Sequence, residues 1–450
     1  MRAVAAPLAC ALALLIAADG VAAEPAPGES LAVRIALIGP GDELYFRWGH
    51  FALIIDDLDA GTSRLFDYGL FSFQQADFFY NFAMGRLWFS IGVSDTWRSV
   101  LGWAQTNRDV IVYTLDIPPA AREAIRLRAE WDVLPENSDY LYHHFDMNCV
   151  TPILYMIDEA TGGQFRGRLA YEPGRFTLRE HVRRHLWRSP FFDWLLNFLM
   201  GQGIDRPITV WEEMFLPSEA ARNIAAFEWT DERGATRRLA SGREEVFLSQ
   251  GRAPVLDYPP ARWPRQFALG LAVAAALAAL FLVRGRRPTL ARKALGACHC
   301  ALGLFLGLTG SLLFFLTFFT DHDYTFDNAN ILFANPLLLA LVPLGIRLAS
   351  ARAERGRKGK RSRGGAAREG AETRRVETAL AALWALSALG VVVSMLIKLT
   401  PWFWQDNLAD QLMVLPIALA MAAGSLLTGG ILKREKARGG KGRAKDGKKA

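Results

Sequence analysis

The chain has 450 residues, a formal net charge of +7 and 51% hydrophobic residues. Its positive charge is unevenly spread: residues 24–266 hold 25 Arg, no Lys and 33 Asp or Glu, so that stretch is acidic. The excess of Lys and Arg lies instead in Arg284–Lys293, Arg347–Arg375 and Lys433–Lys449, beside apolar runs, and no nucleic-acid partner is expected.

The N-terminus has the form of a signal peptide. Arg2 is the sole charge before the apolar run Leu8–Ala18, and Val21-Ala22-Ala23 offers small residues for cleavage, so residues 1–23 are expected to leave and Glu24 to start the mature chain. Leu8-Ala9-Cys10 faintly resembles a lipoprotein box but stands at the wrong end of the apolar run, so lipidation there is not expected.

Residues 24–266 are expected to form an exported domain. Leu31–Ile38 alternates and ends in Gly39-Pro40-Gly41, a strand and a turn. Gly49–Ile55 and Arg64–Gly69 flank Asp59-Ala60-Gly61-Thr62 and read as a hairpin. A turn centred near Asp59–Ala60 sets His50 opposite Gly69 and puts Asp67 on the face of His50, since side chains alternate with period two. Ala76–Met84 is Phe-rich, and Leu87–Val93 and Val110–Asp116 are further strand candidates. Pro118–Leu134 carries apolar residues at helical spacing. Pro152–Ala160 is helix-compatible with Pro in the first turn, which sets Cys149 at a helix N-terminus. Leu178–Trp187 reads as a basic amphipathic helix, solvated or facing lipid.

From residue 267 the composition changes. Five apolar runs, about 267–283, 295–319, 331–349, 378–397 and 411–431, each approach the ~20 residues that cross a bilayer. Basic segments alternate with the poorly basic loops Thr320–Asn330 and Lys398–Asp410. By the positive-inside rule the domain 24–266 is outside, and the loop 350–377 and the tail 433–450 are cytoplasmic. The tail is a topology determinant first and a contact for anionic lipid second.

Cys10 leaves with the signal peptide, and Cys298 and Cys300 fall in a predicted membrane helix. Cys149 is therefore the one cysteine of the exported domain, which suggests a free reactive thiol. A helix N-terminus and an imidazolium both favour thiolate. His50 is the expected base, and Asp67 would hold its tautomer as the third group of a triad does. The backbone N–H of Cys149, with Tyr45 or Asn148, would face an oxyanion. The plain alternatives are an inert buried thiol, a hydrogen-bonded core histidine and an ordinary Asp67–Arg ion pair. His143, His144, Asp146 and Cys149 are potential metal ligands, but their spacing matches no standard zinc motif. His181 and His185 stand at i and i+4 without a third ligand nearby in sequence. No metal or cofactor is expected.

Trp48-Gly49-His50-Phe51-Ala52-Leu53 with Asp67-Tyr68-Gly69-Leu70-Phe71, and Tyr142 through Asn148-Cys149-Val150-Thr151, resemble the two signatures of the Lnb-type lipoprotein N-acyltransferase family. Ile208–Pro217, Asn328-Ala329-Asn330 and Asn335-Pro336-Leu337 are similar to its later parts. The resemblance implies an α+β, permuted papain-like (NlpC-type) periplasmic domain followed by an all-α region of five transmembrane helices. It implies His50 as base and Cys149 as nucleophile of a cysteine-dependent acyltransferase at the bacterial inner membrane. Through a thioester that enzyme would N-acylate the N-terminal cysteine of lipoproteins, with membrane lipid and lipoprotein as partners. The rivals are an NlpC-like peptidase or amidase acting on peptidoglycan and a non-catalytic envelope binding module.

Overall fold

A computed structural model describes residues 26–74, 76–351 and 363–443, the side chains of 363–369 and 429–443 excepted. The expected signal peptide and parts of the basic loop 350–377 and of the tail 433–450 lie outside the described residues.

The strands are β1 (Leu31–Ile38), β2 (His50–Asp57), β3 (Thr62–Leu70), β4 (Trp88–Asp95), β5 (Val110–Leu115), β6 (Asp139–Leu141), β7 (Glu228–Thr230), β8 (Thr236–Arg238) and β9 (Ala240–Phe247). The longer helices are α1 (Phe78–Ala83), α2 (Thr96–Gln105), α3 (Pro119–Asp132), α4 (Thr151–Ala160), α5 (Gln164–Leu169), α6 (Leu178–Leu186), α7 (Pro190–Leu199) and α8 (Pro217–Ala226), then α9 (Trp263–Val283), α10 (Pro288–Phe319), α11 (Leu341–Ser350), α12 (Arg363–Leu396) and α13 (Leu408–Arg443). They form two compact units. The first comprises the chain up to Phe71, Phe89–Tyr171 and Met214–Gly251; the second comprises Ser72–Trp88, Glu172–Glu213 and the chain from Arg252.

The first unit is built on a seven-stranded sheet of order β6-β4-β3-β2-β1-β5-β9. The pairings of β1 with β2 and β5, of β3 with β2 and β4, and of β5 with β9 are antiparallel. Central β2 is buried from Phe51 to Ile55, which explains its unbroken apolar run: both faces of the sheet are covered there. On one face Ala36, Ile38, Ala52, Ile54, Leu65, Val110 and Val112 pack with Val100 of α2. Each large aliphatic side chain in such a layer contributes about 1.5–3 kcal/mol by leaving water. On the other face the Tyr68 hydroxyl donates to Asp132 Oδ2 at 2.9 Å and fastens the end of α3 to β3. Strand β9 closes the opposite edge with the exposed charges Arg243, Glu244 and Glu245. Neither it nor β6 is legible in the sequence, because one lacks alternating apolar residues and the other spans three residues.

Among the described residues of the second unit, five segments are long and apolar enough to cross a membrane: Trp263–Val283, Pro288–Phe319, Ala329–Ser350, Gly370–Leu399 and Leu408–Thr428. The third is not one continuous α-helix. It opens with two 3₁₀ turns; Asn335 caps the second, which begins at Pro336, through Leu337 N at 3.1 Å, and α11 follows from Leu341. Small residues let α10 approach it closely: a Cβ on Gly303, Gly307 or Gly310 would meet atoms of residues 334–341 at 2.8 Å or less. The Asn328 amide donates to the carbonyls of Phe198 and Leu199, both at 2.9 Å, and accepts from Gln405 Nε2 at 2.9 Å; Asn407 Nδ2 donates to Asn330 Oδ1 at 2.8 Å.

Residues 172–213, part of the expected exported domain 24–266, pack within the second unit. Helix α6 is correspondingly neither solvated nor lipid-facing. All its residues but Glu180 are buried, and each arginine has a partner. Arg179, fully buried, donates to both carboxylate oxygens of Asp205 at 2.7 and 2.9 Å and to the carbonyls of Asn197, Met200 and Gly201. Arg183 reaches Asp406 at 2.5 Å. Paired guanidinium groups can be buried, and sequence periodicity does not reveal the partners.

Candidate active site

The β2–β3 ladder pairs Ala52 with Asp67, so Asp67 stands on the face of His50 as the hairpin spacing predicts. Asp67 Oδ1 lies 2.7 Å from His50 Nε2, and both side chains are largely buried. The His50 ring also lies 6.1 Å from that of Trp103 on α2. With Nε2 given to Asp67, Nδ1 is the ring nitrogen left for Cys149, which lies near enough to act on the imidazole electrostatically. Burial alone pulls the imidazolium down. The Asp67 carboxylate, its hydrogen bond to the ring and the neighbouring Cys149 outweigh it and raise His50 from 6.5 to about 10.

Cys149 is 8% exposed and stands two residues before the first residue of α4, with Pro152 in the first turn. A tight turn delivers it: His143 and Met147 exchange backbone hydrogen bonds at 2.8 and 3.1 Å, and His143 Nδ1 lies 3.1 Å from Asp146 Oδ2. Asn148 secures the turn. Its Nδ2 donates to the carbonyls of His144 and Phe215 at 3.0 and 2.9 Å, and its Oδ1 accepts from Val150 N at 2.8 Å. Both amide hydrogens are thereby committed, so Asn148 positions the Cys149 loop and is not an oxyanion donor.

Tyr45 is 47% exposed at the far end of an aromatic row. Its ring is 5.4 Å from Phe71, Phe71 is 5.0 Å from Phe89, and Phe89 is 4.4 Å from Tyr142, which borders Cys149. Tyr45 thus joins the site through this aromatic row.

The residue that the sequence reading missed is Tyr140. Its hydroxyl is buried and makes no hydrogen bond among the described residues. A Cβ placed on Gly69 would meet Tyr142 Cε2 at 3.4 Å, the Tyr140 hydroxyl at 3.6 Å and Cys149 Cβ at 3.8 Å, so these three converge on one bare stretch of backbone. Gly69 has φ +97°, at an irregularity of the β3–β4 ladder. Burial, then the neighbouring Tyr142 and Cys149, push the Tyr140 phenol well above its usual value and keep it a neutral donor. The alternation Tyr140-Leu141-Tyr142 was the available signal: in a strand it puts both rings on one face.

Among the described residues no group of three His, Cys, Asp or Glu could hold a metal, so His143, His144, Asp146 and Cys149 do not assemble as ligands. His181 and His185 belong to the second unit. His181 donates from Nε2 to Glu213 Oε1 at 2.8 Å and accepts at Nδ1 from Arg184 at 2.9 Å. His185 gives Nδ1–H to the His181 carbonyl at 2.8 Å, and burial lowers it to about 3, so it stays neutral.

A buried thiol, a histidine and a carboxylate meeting at the end of a sheet, in a chain with five apolar spans, define a multi-pass membrane protein whose sheet domain carries a Cys–His–Asp constellation. Two family models match the chain: the Lnb N-terminal periplasmic domain over residues 24–184 and the Lnb transmembrane domain over residues 262–355. The chain belongs to the Lnb-type family, with its N-terminal domain in the periplasm. No curated protein and no solved structure matches it.

Proposed function

We propose that this protein is a thiol-dependent acyltransferase that N-acylates the N-terminal cysteine of lipoproteins at the outer face of the inner membrane, with its C-terminus in the cytoplasm. The observation that carries the reading is His50, held by Asp67 at 2.7 Å and close to Cys149 in the same site. A His strand that precedes a Cys helix is also the order of a permuted papain-like domain, and membership of the Lnb-type family points to the same envelope chemistry.

In the first half-reaction the Cys149 thiolate attacks the carbonyl carbon of an acyl ester in the membrane. The tetrahedral oxyanion accepts hydrogen bonds from the Tyr140 hydroxyl and the backbone N–H of Cys149. As the C–O bond breaks, the His50 imidazolium gives its proton to the departing alkoxide, leaving a thioester on Cys149 and a free alcohol. In the second half-reaction the α-amine of the acceptor attacks the thioester and His50 takes the amine proton. Collapse forms the amide and returns the thiolate, so the ion pair is restored. Asp67 keeps the imidazole in the tautomer that presents Nδ1 to sulfur.

Five apolar spans in the same chain favour a lipid-bound substrate over a soluble peptide. The test is mass analysis of lipoproteins from a strain lacking its own N-acyltransferase. Wild type should convert free-amine lipoproteins to N-acylated ones, while Cys149→Ala and His50→Ala should not. Free-amine lipoproteins persisting beside well-expressed wild type would sink the proposal; cleaved muropeptides from the purified protein would favour the peptidase.

A further inference from the structure

Within the second unit lies a cavity of about 650 Å³. Leu269 and Val273 of α9, Phe305 and Leu306 of α10, and Ile417 of α13 form apolar walls, and Arg262 and Asp193 stand at its polar end. Leu269 is 54% and Phe305 43% exposed, so the walls run on to the outer surface of these helices. Arg262 is buried. Its Nε lies 2.9 Å from Asp193 Oδ2 as an ion pair, and among the described residues Nη1 and Nη2 make no hydrogen bond. Buried Asp410 also bears on Arg262 electrostatically, and Arg265 lines the same end.

An apolar chamber open to hydrocarbon leaves its lining without dispersion partners unless a chain enters, and a cavity with few polar groups holds water poorly. From Arg262 to Val273 a helix rises about 16 Å, close to half of the ~30 Å hydrocarbon layer, which is the depth of one acyl chain in one leaflet. The polar end needs acceptors: a buried guanidinium with unused N–H groups is matched by the bidentate oxygens of a phosphate. We propose that this cavity binds a phospholipid of the outer leaflet, with one acyl chain between α9, α10 and α13 and its phosphate on Arg262 and Arg265. The assignment concerns binding alone and does not rest on the acyl-transfer reading.

The test uses the full-length protein carrying Cys149→Ala, so that turnover plays no part, in nanodiscs containing a phospholipid with a diazirine in one acyl chain. Photolabelled peptides are mapped by mass spectrometry. A diazirine-bearing diacylglycerol supplies the comparison without phosphate. Labelling should concentrate on Leu269–Val273, Leu302–Leu306 and Met413–Ile417 over the exposed stretch Phe314–Phe319 of the same bundle. Val273→Trp, which fills the cavity from a partly exposed wall, should reduce it to the level of that stretch. Arg262→Gln should lower phospholipid labelling about tenfold, the effect of one lost charge-assisted hydrogen bond, and leave diacylglycerol labelling unchanged. Arg262→Lys serves the same purpose if the Gln variant does not fold, since it keeps the charge but not the fork. Uniform labelling of all exposed helix faces, or labelling indifferent to Val273→Trp, overturns the cavity assignment. Equal labelling by diacylglycerol in the unaltered cavity overturns the phosphate assignment.

Discussion

Asp67 Oδ1 meets His50 Nε2 at 2.7 Å although the two residues are not directly opposed: Asp67 faces Ala52, and the contact is a diagonal across the β2–β3 ladder. A diagonal neighbour on one face lies within reach of a long or planar side chain. The carboxylate is one of the two charges that lift His50 to about 10. Asp67→Asn keeps the shape and removes the charge. Its histidine should titrate lower, so the alkaline limb of the rate profile should move to lower pH, and turnover should fall by about 10²–10⁴ if Asp67 acts as triad acids do. A profile with an unmoved alkaline limb would contradict the role given to Asp67.

The same raised value links stability to pH. The folded protein holds the His50 proton more tightly than the unfolded chain, whose histidine titrates near 6.5. This contribution is fully present below about pH 6.5 and is lost as pH rises through about 10. Wild type should therefore lose thermal stability between these values relative to His50→Gln. Parallel curves for the two proteins would refute the coupling.

Tyr140 offers a separation of stability from catalysis. Its buried hydroxyl makes no hydrogen bond among the described residues, so Tyr140→Phe should leave the melting temperature unchanged or raise it, a gain of up to about 1–3 kcal/mol from the removed desolvation penalty. Turnover should nevertheless fall by about 10²–10³, the loss expected for one oxyanion donor, with KM little altered. A fully active Tyr140→Phe protein would remove Tyr140 from the mechanism.

Asn148→Ala should act in the opposite sense. It strips the buried carbonyl of Phe215 and the carbonyl of His144 of their donor and Val150 N of its acceptor, which costs about 2–4 kcal/mol in denaturant unfolding. Activity should fall with the loss of a fixed Cys149 loop. If Asn148→Ala were as stable as wild type yet inactive, the positioning role would be wrong.

Gly69→Ala introduces a Cβ at φ +97° beneath Tyr142, Tyr140 and Cys149. Backbone strain of about 1–3 kcal/mol is expected, with displacement of the tyrosines from the thiol. Slower alkylation of Cys149 by a thiol reagent, alongside a lowered melting temperature, is the readout; unchanged values of both would show that the bare backbone is not required.

Local chemistry made part of this protein legible from sequence. Alternation and turn residues set β1, β2 and β3 and their register, because a slip of one residue would turn every apolar side chain out of the core. That register alone placed Asp67 beside His50. Continuous apolar length marked the five spans, since hydrocarbon imposes one minimum on any helix that crosses it. The tertiary structure decided what depends on distant partners. Arg179 and Arg183 look solvated on a helical wheel but are buried, because Asp205 and Asp406 neutralise them from elsewhere in the chain. Asn148 looks like a free donor until the Phe215 carbonyl, 67 residues away, takes one of its hydrogens. Tyr140 gains meaning only from the left-handed turn at Gly69 that brings its hydroxyl beside Cys149. Sequence periodicity reports which way a side chain points; only the folded chain reports what it meets there.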